Sequence, residues 1–418
     1  MHEDLKFYAI EGTNLSMKDE WIQALLRGEG PVELEGISGR KGLLFSTITL
    51  EKFIEEEFRH DRFDLSGESQ RSIRSFSSGE QRKALLEYQI KQDPGFLILD
   101  NPFDALDTES VTSLKKRLTA LAKTTPIIQI FKRRKDLLPC ISHVVIVEEE
   151  QLKKIYSLRE YLEKHLHREQ GVLTFLIPPP PSEFENTPEI LVEMKKVSVS
   201  YGERIILRDI DWTIRRSEFW QLTGLNGSGK TTLLTMITGD NPKAYGVDLF
   251  LFGRKKGSGE SVWEIKKKIG YFTSPMTELF QRNNTVEQMV ISGLLDTVGL
   301  YRKATGRQLE LAGQWLRAVG IDHLKDTSFL KLSQVHQRMV LIVRAMIKHP
   351  PLLILDEPST GLDDHSASLL TELINKIASE SNTAIIYVSH RKEEGLQPGF
   401  IYHLVPSKKG SSGKTDML

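Results

Sequence analysis

Residues 224–231, Gly-Leu-Asn-Gly-Ser-Gly-Lys-Thr, fit the pattern G-x-x-x-x-G-K-[ST]. They lie between the strand-like stretch Trp220-Gln221-Leu222 and a helix-period stretch carrying Leu233, Leu234 and Ile237. Glycines at this spacing let the backbone wrap closely, so that N–H groups at a helix start face the β- and γ-phosphates of a nucleotide. Lys230 adds a cation and Thr231 a hydroxyl for Mg²⁺, while Gly224, Asn226, Gly227, Ser228, Gly229 and Thr232 complete the expected cradle. A second cluster follows, where the apolar run Leu352-Leu353-Ile354-Leu355 ends in Asp356-Glu357-Pro358. Asp356 is expected to hold Mg²⁺ through water, and Glu357 to polarise the water that attacks a γ-phosphate.

Such clusters need a scaffold that sets strand ends beside a helix start, and the chain carries the pattern of one twice. Residues 76–107 align without a gap on 332–363 at a constant offset of 256, sharing the elements LILD and LD. In each copy a helix-period stretch leads through a proline into a short apolar run ending in Asp, the pattern of a helix feeding a buried parallel strand. A further strand follows in both, Ile127–Ile130 and Ile385–Val388, at an offset of 258. The expectation is two α/β domains, over 1–165 and 191–405. Between them lies a linker over 166–190, preceded by a charged helical stretch near 158–169 with Tyr161, Leu162 and Leu166 at helical spacing and containing Pro178 to Pro181 as an extended spacer. The Lys-, Gly- and Ser-rich residues 406–418 are expected to be a disordered tail.

These spacings resemble the ATP-binding cassette (ABC) ATPases, and the fold implied is two tandem P-loop NTPase domains. By that resemblance Tyr201 stacks on adenine, Gly361-Leu362-Asp363 forms the D-loop and His390 contacts the γ-phosphate. In that family each ATP is sandwiched between the phosphate loop of one cassette and the LSGGQ signature of the other. Two fused cassettes with the stretch 248–271, from Asp248 through Gly253, Gly257 and Trp263 to Tyr271, resemble the ModF/PhrA type, whose names refer to molybdate transport and photorepair. The resemblance implies ATP and Mg²⁺ as ligands and ATP hydrolysis as the activity.

The two copies differ in an ordered way. The first keeps a signature-like Phe76-Ser77-Ser78-Gly79-Glu80, whereas the second reads Leu332-Ser333-Gln334-Val335-His336, with valine in place of the glycine. Conversely, nothing before Ser77 matches G-x-x-x-x-G-K-[ST]. Matching Trp21 to Trp220 and Gly28 to Gly239 leaves 12 residues missing where that loop belongs, so the first cassette is expected to be truncated and to lack its P-loop. Asn101 stands at the catalytic Glu position and Lys132 at that of the histidine. The expected outcome is one composite site, built from Lys230, Glu357 and His390 of the second copy with Ser77 and Gly79 of the first. Ser274 stands where the family places a glutamine that senses Mg²⁺ and couples to a membrane partner. Two alternatives stay open: a nucleotide-dependent binding module that turns over slowly or not at all, and a translation factor of the ABC-F group, against which the short proline-rich linker speaks.

Bulk properties narrow the partners. The 418 residues carry 56 Lys+Arg and 56 Asp+Glu, so Lys132-Arg133-Arg134-Lys135 and Lys266-Lys267-Lys268 read as solvated faces and not as a nucleic-acid surface. No secretory pattern opens the chain and no apolar run reaches membrane-span length, which points to the cytoplasm, with a protein partner or homodimer and any membrane association through a partner. The single cysteine, Cys140, reads as a small buried hydrophobe, and His165 and His167 as surface residues without further metal ligands nearby.

Overall fold

The computed structural model describes all residues except 1–6, 13–19, 35, 67–70, 149–150, 166–175, 181–186 and 282. The chain divides into two compact units, Met1–Glu169 and Gln170–Leu418. The first contains β1 (Tyr8–Glu11), β2 (Gly42–Phe45), β3 (Phe96–Asp100), β4 (Ile127–Phe131), β5 (His143–Glu148) and β6 (Gln151–Ser157). They form one sheet in the order β2-β3-β4-β1-β5-β6, parallel except for β6. Ile98 and Ile128 face one apolar cluster while Leu97, Leu99 and Ile127 face another, which is why these short strands read as unbroken hydrophobic runs.

The second unit contains β7 (Ile190–Tyr201), β8 (Arg204–Arg215), β9 (Phe219–Gly224), β10 (Leu249–Leu251), β11 (Arg254–Lys255), β12 (Ile269–Thr273), β13 (Leu352–Asp356), β14 (Ala384–Ser389), β15 (Phe400–Val405) and β16 (Ser412–Met417). Its main sheet runs β12-β13-β14-β9-β15-β16, the order of the first unit strand for strand. A second sheet, β11-β10-β7-β8, is antiparallel and has no counterpart among the described residues of the first unit. Trp212 of β8 stacks on Tyr402 of β15 with ring centroids 4.4 Å apart, and Trp220 of β9 stacks on Phe400 at 4.7 Å. Aromatic pairs of this kind contribute about 0.5–1.5 kcal/mol beyond their area, and here they bind the two sheets together.

The matching sheet order corrects one alignment. Tyr8 pairs with Ile128 as Trp220 pairs with Ile386, so β1 is the counterpart of β9, and Gly12 that of Gly224. Trp21 lies in the helix Glu20–Arg27, beyond that strand, and is not the partner of Trp220. No 12-residue gap separates the copies at this point: Gly12 is followed directly by Thr-Asn-Leu-Ser-Met-Lys-Asp at 13–19.

A second correction concerns 406–418. Instead of a disordered tail, Ser412–Met417 pairs antiparallel with β15 along its whole length, and Ser411 bridges to Leu207 of β8. The polar composition misleads because this is an outer strand: its ladder uses backbone groups, while exposed Lys414 and half-buried Asp416 put charges on it, as edge strands commonly carry. The linker expected over 166–190 is described only in part. Ile177 donates its N–H to Glu380 and so lies with the second unit. The helix Leu158–His165 is present, whereas Leu166, His167 and Pro181 fall outside the described residues. Among the described residues no helix is long and apolar enough to cross a membrane.

Candidate active site

Parallel strands that end at one level place their following loops side by side, and the second unit uses three of them. β9 runs into the glycine loop, β13 into Asp356-Glu357, and β14 into His390. Gly227 (φ 75°) and Gly229 (φ 99°) hold the left-handed backbone that turns the loop into the helix Lys230–Ile237. At Gly229 a Cβ would also sit 2.7 Å from the Leu207 side chain of β8, which would have to shift to admit it.

The strand ends enclose a cavity of about 430 Å³ lined by Tyr201, Asn226, Gly227, Gly229, Lys230, Thr231, Thr232, Asp356, Glu357 and His390, all singled out from the sequence. Gly224 and Ser228 do not line it: Gly224 ends β9 beneath the loop, and Ser228 is buried within it. Ser77 and Gly79 belong to the first unit. There Ser77 caps the helix Ser78–Ile90, its hydroxyl accepting from Glu80 N–H while Glu80 returns to Ser77 N–H at 2.7 Å. That reciprocal pair holds the Glu80 carboxyl below its usual range.

Arg204 and Ile206 also line the cavity and are absent from the sequence reading. The signal for them is a hairpin: Gly202-Glu203 is a two-residue turn that sets Arg204 opposite Tyr201. Tyr201 itself is held at its hydroxyl by Asn241, 3.0 Å away, leaving its ring about half exposed.

Electrostatics suit a nucleotide and a divalent cation. Lys230 Nζ folds back on its own loop, donating to the carbonyls of Gly224 at 2.7 Å and Leu225 at 3.0 Å. Ser228 Oγ is buried beneath the loop with no protein hydrogen-bond partner. Glu357 pairs with His390. Burial, reinforced by the neighbouring Glu357 carboxylate, pushes the Asp356 carboxyl up to about 6, the state of an anionic pocket that a bound cation would relieve. As a cation ligand Asp356 would act as the carboxylate, which forms as pH rises through about 6. Mg²⁺-dependent nucleotide binding is therefore expected to weaken below pH 6, by up to about tenfold per pH unit, in calorimetric titrations. A pH-independent affinity between pH 5 and 7.5 would contradict this role for Asp356.

Comparisons with known proteins agree with this geometry. The family model "ABC transporter" matches residues 207–360. The chain is 34% identical to the ABC transporter ATP-binding protein ModF of Escherichia coli, over 95% of this chain and 90% of that protein. It is 30% identical to an uncharacterized ABC transporter ATP-binding protein of Schizosaccharomyces pombe, over 77% of this chain and 66% of that one. Among solved structures, a chain in a model of ribosome-bound archaeal Pelota and ABCE1 covers 99% of this chain and is covered over 75% of its own length, with a TM-score of 0.63 and 16% identity. The RNase-L Inhibitor covers 98%, is covered over 85%, and has a TM-score of 0.60 and 16% identity. At that identity these two speak for the fold alone, a tandem-cassette P-loop NTPase. With phosphate loop, paired carboxylates and family match in hand, the chain belongs to the ATP-binding cassette family, among its two-cassette ModF-type proteins, and is an ATP hydrolase.

Proposed function

We propose that the chain is a Mg²⁺-dependent ATPase with one competent site, gripped by the second unit and completed by the signature segment of the first. The observation that supports this reading is the contrast at one structural position. Gly224 opens a full phosphate loop, whereas its counterpart Gly12 opens Gly-Thr-Asn-Leu-Ser-Met-Lys-Asp, with methionine in place of the last glycine and aspartate in place of the Mg²⁺-binding hydroxyl. The first cassette thus has a degenerate loop, and Asn101 and Lys132 stand where Glu357 and His390 stand in the second.

In this reading Tyr201 stacks on the base and Arg204 lies beside it. The loop N–H groups and Lys230 hold the β- and γ-phosphates, and Glu357, oriented by His390, directs the attacking water. Thr231 and Asp356 would hold Mg²⁺, which when bound neutralises charge developing on the phosphate oxygens. Ser77 and the helix start behind it cap the γ-phosphate. The second unit's own signature position is taken up otherwise: Val335 is buried in the hydrophobic cluster with Met339 and Leu362. Gly79 has a packing reason of its own, since a Cβ there would lie 2.6 Å from Ser110 Oγ, so the serine is the cleaner probe of the two.

In this reading the protein works in the cytoplasm, with a protein partner or as a homodimer. Equilibrium titration with a non-hydrolysed ATP analogue and Mg²⁺ is expected to give one nucleotide per chain. Two per chain would overturn the degenerate-loop assignment.

A further inference from the structure

Glu357 stands in a backbone conformation that glutamate rarely adopts, with φ 53°. A residue held in this left-handed region drifts out of it unless neighbours over-determine it. Three backbone hydrogen bonds do so here. Glu357 N–H donates to Val388 O at 3.1 Å, and its carbonyl oxygen accepts from Thr360 N–H at 3.3 Å and from the Ser274 hydroxyl. Of these donors and acceptors only Ser274 contributes a side chain, and it comes from the strand next door: Thr273, just before it, is paired with Asp356 across β12 and β13.

The first unit supplies an internal control. Asn101, the counterpart of Glu357, has φ 42°, and asparagine tolerates this region far better than glutamate. There the carbonyl of residue 101 accepts from Arg82 at 3.3 Å, while Thr47, the counterpart of Ser274, accepts from the same arginine at 3.5 Å. The same arginine also donates to Pro102 O at 2.8 Å, and its match in the second unit, Arg338, makes the equivalent bond to Pro358 O at 2.6 Å, while the hydroxyl on the carbonyl of residue 357 is that of Ser274. The serine clasp on residue 357 is therefore specific to the unit that keeps the carboxylate.

We propose that Ser274 is a positioning residue for hydrolysis, fixing the backbone of Glu357 so that its carboxylate is held against His390 and aimed at the attacking water. Its hydroxyl is too short to act as a longer side chain at this position would; it acts on the carbonyl of the catalytic residue. The inference rests on Glu357 being the water-directing carboxylate, and the test separates the two claims.

The experiment measures kcat, KM and equilibrium ATP affinity for Ser274→Ala, Ser274→Thr, Glu357→Gln and the double variant Ser274→Ala/Glu357→Gln, all in the full chain. Expected for Ser274→Ala is a fall in kcat of about tenfold with ATP affinity within twofold of the parent, and for Ser274→Thr recovery of most of the turnover. In the Glu357→Gln background the alanine is expected to cause no further loss, because the residue through which Ser274 acts is already disabled. An unchanged kcat in Ser274→Ala, or a full tenfold further loss in the double variant, overturns the role of Ser274. Parent-like turnover in Glu357→Gln would instead overturn the assignment of Glu357. Should Ser274→Ala lose affinity and thermal stability together with kcat, and Ser274→Thr fail to restore it, the hydroxyl is a packing element only and the proposal falls.

Discussion

Replacing Glu357 by glutamine is expected to lower steady-state ATP turnover by at least about 100-fold while ATP binding survives. The substitution preserves shape and removes the negative charge that pairs with His390 and that, in the proposed reaction, polarises water. A transition-state contact of this kind is worth about 2.7–4 kcal/mol, which sets the size of the effect. The nucleotide contacts proposed for the glycine loop, Lys230 and Tyr201 would be left in place. Binding should hold or tighten, since one carboxylate fewer faces the γ-phosphate. Residual turnover within tenfold of the parent would remove Glu357 from the reaction.

The two signature serines should respond in opposite ways. Ser77→Arg is expected to abolish ATPase activity, whereas Ser333→Arg is expected to leave most of it. Ser77 caps its helix and, with Glu80, closes a reciprocal hydrogen-bonded start. Losing that cap costs about 1 kcal/mol, too little to unfold the unit, so a lost activity reports on the site and a thermal melt can verify the fold. Ser333 makes no capping hydrogen bond; its hydroxyl lies 2.9 Å from His336 Nδ1, next to the buried Val335. An arginine there has no nucleotide to displace under the composite-site reading. Equal loss at both positions would contradict it.

The parts of this molecule that could be read from sequence are those where backbone demands restrict residue type. Gly227 and Gly229 turn at positive φ, a region that favours glycine, and the doubly buried β13 is apolar until it meets Asp356, so both leave recognisable patterns. Elements set by tertiary pairing left weaker marks. β1 is four residues long with no period to find, and the neighbouring Trp21 offered a more conspicuous but wrong match. Arg204 was missed because its role depends on which residue faces Tyr201 across a hairpin, a matter of register. Ser274 stood out as a departure from a family pattern; that its hydroxyl meets the Glu357 carbonyl 83 residues away could be seen only in three dimensions.

The outer strand β16 has a bearing on biosynthesis. Among the described residues it follows every other strand, and it contacts both β15 and, through Ser411, the β8 edge whose Ile206 and Arg204 flank the cavity. His403 of β15 joins Thr223, one residue before the glycine loop, to Asp416 of β16. During translation β16 emerges only after the strands that precede it in the sheet have had time to form. The wall of the cavity is thus finished late, and a nascent chain waiting at that stage exposes an unpaired β15 margin that a chaperone or another unfinished copy could seize.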